Sequence, residues 1–123
     1  MIASIDGSTV ALIGKALDAT AMRQQAVAQN IANANSPGYR RLGVSFEQQL
    51  SQLRSQLADG QAVRPAQVDA LQARLDTVDG GDKVALDQEI ADLSATTLHQ
   101  QALLKALNRH YAILGVAING GKQ

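Results

Sequence analysis

The apolar residues of this chain fall into two long helical rows separated by a shorter, broken pattern. From Val10 to Asn33 no proline occurs, and Gly14 is the single glycine. Alanine, the best helix former, recurs throughout this stretch. The pattern predicts a helix over about 8–34, with Ser8 or Thr9 as its N-cap after an irregular start at 1–7. The stop is "QNIANANSPGYRR", residues 29–41. Asparagine is favoured near helix ends because its amide competes locally for backbone hydrogen bonds. Pro37 pushes Ser36 out of the α region, and Pro37-Gly38 fits the two central positions of a type II turn. Phe46, Leu50, Leu53 and Leu57 then predict a helix over about 45–58, stopped by Asp59-Gly60. Val63, Val68, Leu71, Leu75 and Val78 keep a roughly helical spacing. They predict a second, shorter helix over about 66–77, with Pro65 at its first turn. "DGGDK", residues 79–83, reads as a loop.

The last segment carries the clearest repeat. Leu86, Ile90, Leu93, Thr97, Gln100, Leu104, Leu107, Tyr111, Leu114 and Ile118 alternate spacings of four and three, a heptad seam. Asp87 and Glu89 sit in its first turn, where the helix dipole favours acids. Asn119-Gly120-Gly121 is the expected end. At ~1.5 Å per residue the helix is about 50 Å long, and it needs a partner.

The first helix has a weaker seam of the same kind: Val10, Ile13, Leu17, Thr20, Gln24, Val27, Ile31 and Ala34. Folded antiparallel, one register sets Val10 by Leu114, Ile13 by Tyr111, Leu17 by Leu107, Thr20 by Leu104, Val27 by Thr97, Ile31 by Leu93 and Ala34 by Ile90. It also places Gln24 opposite Gln100, where two amides satisfy each other and hold the register. The alternative, both glutamines solvated at the edge of the seam, stays open. The expected fold is all-α: a long antiparallel hairpin of the N- and C-terminal helices, a coiled coil, with a small, mostly helical or irregular central insert. Residues 1–38 and 84–123 form the coiled-coil core and 39–83 the insert, placed at the far end of the hairpin. One seam leaves Leu12, Ala16, Ala19, Met22, Ala26, Leu98, Ala102, Leu103, Ala106 and Ile113 on the outer faces. An apolar surface of that extent implies burial against neighbours.

Composition sharpens this picture. The 123 residues contain one Phe, two Tyr and no Trp, so thin helix-on-helix contact is expected rather than a thick core. Eleven basic residues balance eleven acidic ones, which gives no footprint for nucleic acid. There is no cysteine, hence no disulfide, thiol nucleophile or thiolate-bound zinc. No apolar run is long enough to span a bilayer, and "MIASIDG" lacks the basic start of a cleavable secretion signal. His99 and His110 lie about 16 Å apart along a helix, too far to share a metal. Asp87, Glu89 and Asp92 are explained by the helix dipole, and "DGGD" lacks the distal glutamate of a calcium loop. No catalytic set, cofactor site, metal site or small-molecule substrate site is expected, and the chain is read as not an enzyme.

"NIANANSPGYRR" resembles the N-terminal signature of the bacterial flagellar axial proteins, an Asn-Ile-Ala-Asn run followed by Ser/Thr-Pro-Gly, an aromatic and a basic residue. "GVSFEQQL" and the ending "VALDQEIADLSATTLHQQALLKALNRHYAILGVAINGG" are similar to the B-type proximal rod subunits of the flagellar basal body. The Glu-Met and Arg-x-Tyr-Glu-x-Asn style ending of other axial proteins is absent. The resemblance covers 8–58 and 79–121, and 61–78 lie outside it.

The resemblance implies a structural subunit that packs helically with itself and with other rod subunits into a torque-transmitting shaft around an export channel. It implies contact with membrane-ring and export-gate components of the basal body. The expected location is the periplasmic rod, reached through the flagellar type III apparatus without a cleaved signal. Asn30, Asn33, Asn35, Pro37, Gly38, Tyr39, Arg40 and Arg41 are the implied assembly motif: amides reaching neighbouring subunits, a turn fixing the exit of the insert, Tyr39 wedged at the junction, and both arginines turned outward. A purely intrachain role for the Asn and Tyr side chains remains the competing reading. A coiled-coil adaptor or export chaperone, or another rod-type axial protein, are the alternative functions.

Overall fold

The computed structural model describes residues 2–78 and 83–120. It is mostly helical, with a long helix at each end: α1, Ile2–Ala32, and α4, Leu86–Gly120. Between them lie β1 (Leu42–Val44), α2 (Glu47–Ala58), α3 (Pro65–Asp69) and β2 (Leu75–Thr77). α1 and α4 lie side by side over much of their length. Asn30 hydrogen-bonds Glu89, and Gln24 Nε2 donates to Gln100 Oε1 at 2.8 Å. Going back along α1 therefore goes forward along α4, and the two chain directions are opposed.

Three expectations are corrected. First, α1 begins at Ile2, so Ser8 and Thr9 lie inside it and do not cap it. No proline stops the helix there, and an interior glycine such as Gly7 costs only about 1 kcal/mol.

Second, the helix expected over about 66–77 is cut short, and a strand follows it. Only Pro65–Asp69 forms the second short helix, and β1 pairs antiparallel with β2 in the register Leu42↔Thr77, Gly43↔Asp76, Val44↔Leu75. Backbone bonds from Ser45 N–H to Arg74 O and from Val78 N–H to Arg41 O, both 2.9 Å, extend the ribbon at each end. Beyond α3 the burial alternates: Leu71 and Ala73 are inside, Gln72 and Arg74 outside. That is the two-residue period of extended chain, and it overrides the looser helical spacing of Val68, Leu71 and Leu75.

Third, the insert does not sit at the far end of the helices. It folds back along α1 and covers part of the face assigned to neighbours. Ala19, Phe46, Leu71 and Ala73 form a small core, with Leu12, Ala16, Met22, Val44, Leu50 and Leu53 packed against it. Ala26 is buried as well. The sole Phe of the chain is thus the centrepiece of the insert, at the N-cap position just before α2. Arg23 on α1 and Glu47 on α2 form an ion pair beside it.

Glutamine amides tie the rest of the insert together. Gln49 donates to Gln72 O at 2.9 Å and accepts from Gln72 N–H at 3.2 Å. Gln56 and Gln67 exchange side-chain bonds of 3.1 and 2.8 Å, joining α2 to α3. Paired amides satisfy each other without charge, so a thin, partly wet insert stays ordered around one aromatic ring.

Phe46→Ala removes the largest side chain from this core and is expected to cost about 3 kcal/mol or more. Urea unfolding followed by far-UV circular dichroism reads the loss.

Candidate assembly motif at the end of the first helix

The helix stop builds a sharp corner. Asn33 N–H bonds Gln29 O at 3.0 Å, its side-chain amide donates to the same carbonyl at 2.9 Å, and Ser36 N–H bonds Asn33 O at 2.9 Å. Tyr39 N–H closes the turn onto Ser36 O at 3.3 Å, with Gly38 at φ 72°. A positive φ at the third residue of the turn suits glycine, as the Pro-Gly pair requires. The corner returns the chain alongside α1 as β1.

Asn30 receives it. Its side chain is 0 % exposed, and all four of its hydrogen-bonding positions are filled. Oδ1 accepts the Leu42 N–H at 2.8 Å and the Tyr39 hydroxyl at 2.8 Å. Nδ2 donates to Leu42 O at 2.9 Å and to Glu89 Oε2 at 3.3 Å. The amide thus meets both backbone groups of Leu42, as a neighbouring strand would. A helix cannot offer its own backbone to a strand, because helical bonds already use it, so a side chain takes that part.

Glu89, from the first turn of α4, is also 0 % exposed. Arg41 Nε donates to its Oε1, and Arg41 also reaches Asp92 Oδ2 at 3.2 Å. A buried carboxylate without a partner would be costly, and this one has a guanidinium and an amide. Burial, and secondly the charge of Glu89, raises the Tyr39 phenol above its usual value near 10. The hydroxyl therefore keeps its proton, which the bond to Asn30 requires.

The motif residues divide. Asn30, Tyr39 and Arg41 turn inward and converge on Glu89. Asn33 caps its own helix and accepts from Ser36 Oγ at 3.3 Å. Asn35, Pro37, Gly38 and Arg40 are exposed. Arg41, expected to point outward, is drawn in by the paired carboxylates of α4. The node also includes Glu89 and Asp92, which helix-dipole reasoning had explained away. The missed signal was a glutamate on the helix face that the rest of the pattern buries, next to the seam residue Ile90.

The seam is rotated accordingly. Gln100, Leu107 and Leu114 are half-buried, while Ile90, Leu104 and Tyr111 are 57 %, 45 % and 53 % exposed. Leu93 and Ile118 are exposed too. On α4 the fully buried positions are Glu89 and Thr96, one residue before the expected line. Pulling Glu89 into the node turns this edge of the helix inward. On α1, Thr20 and Val27 are buried, and Val10, Ile13, Leu17, Gln24 and Ile31 are half-buried.

An open groove of about 510 Å³ runs between the ribbon and α4, lined in part by Arg23, Arg41, Glu47, Asp92 and His99. Its arginines are already engaged, Arg23 with Glu47 and Arg41 with Glu89 and Asp92. Among the described residues no group of three or more metal-ligating side chains comes together. What the arrangement does is structural: it holds two helices and a strand at one corner.

The family model for flagella basal body rod proteins matches residues 14–40, the second half of α1 and the turn that follows. Over nearly the whole of both chains, 97 % of this one and 99 % of the relative, the sequence is 27 % identical to the flagellar basal body rod protein FlgB of Bacillus subtilis (strain 168). Both likenesses are to proteins described as rod proteins of the flagellar basal body. The family match ends within two residues of Leu42, so it spans both the amide that holds the exit strand and the turn that delivers it.

Asn30→Ala strands both backbone groups of Leu42 and one oxygen of Glu89, and is expected to cost about 3 kcal/mol. Asn33→Ala loses only an exposed cap and should cost less than about 1 kcal/mol. Denaturant melts of the two variants check the contrast. For Tyr39, the raised phenol value means that the folded state holds its proton more tightly than the unfolded state does. Its contribution is therefore complete below about pH 10 and is lost as pH rises beyond that. Wild type should lose stability relative to Tyr39→Phe as the pH is raised above about 10, read as the shift of the urea midpoint.

Proposed function

We propose that this chain is a B-type subunit of the proximal rod. α1 and α4 form an antiparallel coiled coil that stacks helically with its own copies and with other rod subunits. The assembly lines an export channel and transmits torque. The subunit reaches the periplasmic rod through the flagellar type III apparatus, and meets membrane-ring and export-gate components there. The similarity to the Bacillus subtilis relative over the full length supports the B-type assignment.

One observation carries the assembly reading: a heptad row with no cover. Ile90, Thr97, Leu104, Tyr111 and Ile118 repeat every seven residues along α4, and all but Thr97 are exposed. The groove beside Asp92, Ala95 and His99 faces the insert, so this row lies on the opposite flank of the helix. Beside it, on the corresponding flank of α1, Gly7, Gly14, Ala21 and Ala28 repeat with the same period. A ridge of large side chains next to a trough of small ones suits the knob-and-hole contact of packed helices. The accessible surface, 8541 Å², exceeds the about 6,300 Å² typical of a compact monomer of this mass. The excess is larger than the ~800 Å² that one partner contributes to a standard interface.

The outward members of the turn, Asn35 and Arg40, are the motif side chains placed to meet a neighbouring subunit. An adaptor or chaperone accounts for heptads but has no need of an uncovered row along one flank.

The pair Leu104→Glu and Tyr111→Glu places two charges on that row. Helicity of the isolated chain should be unchanged by circular dichroism. Complementation of a strain lacking the protein should yield no rods and no swimming. Full motility of the double variant would rule out the row as an assembly face.

A further inference from the structure

The described polar links between the insert and α4 all pass through one arginine. Arg41 pairs with Glu89 and Asp92. Glu89 in turn holds Asn30, which holds Leu42 of β1 and the Tyr39 hydroxyl. The ribbon leans on α1 and does not pack its backbone against α4.

We propose that Glu89 is a docking sensor: it makes the order of the β1–β2 ribbon depend on the C-terminal helix being seated on the N-terminal one. Two features point this way. The node joins Asn30 and the nearby 39–42 to the distant 89–92, and is complete only when α4 is in place. Its central groups, Asn30 and Glu89, are both shut off from water, so each is left with an unmet bond when the other departs.

With α4 undocked, Asn30 loses one acceptor and Arg41 loses both of its carboxylates. The exit strand is then held by the Asn30 amide, by its pairing with β2 and by Val44 on the small core. Two-stranded ribbons of this length are marginal by themselves. Seating α4 therefore tightens the insert, and a chain with its ends apart keeps the insert loose. The contact of Arg41 with the half-buried Asp92 adds direction, and the buried oxygens of Glu89 carry the coupling. Glu89 acts as a positioning residue, and its effect is felt 45 or more residues away along the chain, at Leu42–Val44.

The test is a double perturbation on the full chain, read by amide hydrogen exchange. Leu107→Ala loosens the α1–α4 contact 18 positions along α4 from Glu89. In the wild-type background it should speed exchange of the Leu42, Gly43 and Val44 amides about tenfold. In a Glu89→Gln background, which keeps the shape and removes the charge, the ribbon amides should already exchange faster. Leu107→Ala should then add less than twofold. Equal effects of Leu107→Ala in the two backgrounds would overturn the proposal, since the ribbon would then follow global stability alone. So would ribbon amides that exchange as freely in wild type as in the variants. Arg41→Met serves as a second route to the same break, should Glu89→Gln fold poorly.

Discussion

One asparagine side chain allows a strand to lie against a helix. A helix spends its backbone hydrogen bonds on itself, so it has nothing to offer a neighbouring extended segment. Asn30 supplies a donor and an acceptor at the spacing of a peptide group, and Leu42 bonds both. From that contact follow the return of the chain along α1, the pairing of β1 with β2, and the burial of Phe46 over Ala19. Tyr39 and Glu89 use the remaining two bonding positions and attach the corner to α4.

Burying Glu89 and Asn30 is not an economical way to stabilise a protein. Buried ion pairs often contribute little net stability, because desolvation offsets the attraction. They are, however, exacting about geometry. Here that exactness has a visible result: the node turns α4 so that Glu89 and Thr96 point inward, and a full row of large apolar side chains is left outside. The same contact that closes the subunit at one corner exposes its flank for others. For the assembly role proposed above, a surface displayed in a fixed orientation is the functional product.

The insert adds a second constraint. It occupies the flank of α1 that carries Leu12, Ala16, Ala19 and Met22, so these side chains are consumed within the chain. One flank of the helical pair is therefore self-covered and the opposite one open. That asymmetry gives the subunit a front and a back, which a bare two-helix hairpin would lack.

Much of this was legible in the order of residues. The two long helices, the Pro-Gly corner with its positive φ, the short helix after Phe46 and the facing of Gln24 with Gln100 all follow from local propensity, turn chemistry or heptad period. Those signals act over a few residues and survive without knowledge of the rest. What only the folded chain decided is long-range. Leu71 and Leu75 fit a loose helical stripe, but packing of Leu71 and Ala73 against Phe46 and Ala19 chose extended chain instead. Glu89 looked like a dipole-matching surface acid until Arg41 and Asn30, 48 and 59 residues away in the chain, closed around it. A periodic pattern names the apolar faces of a helix; which of them is buried within the subunit depends on where a buried charge finds its partner, and that partner is set by tertiary contact.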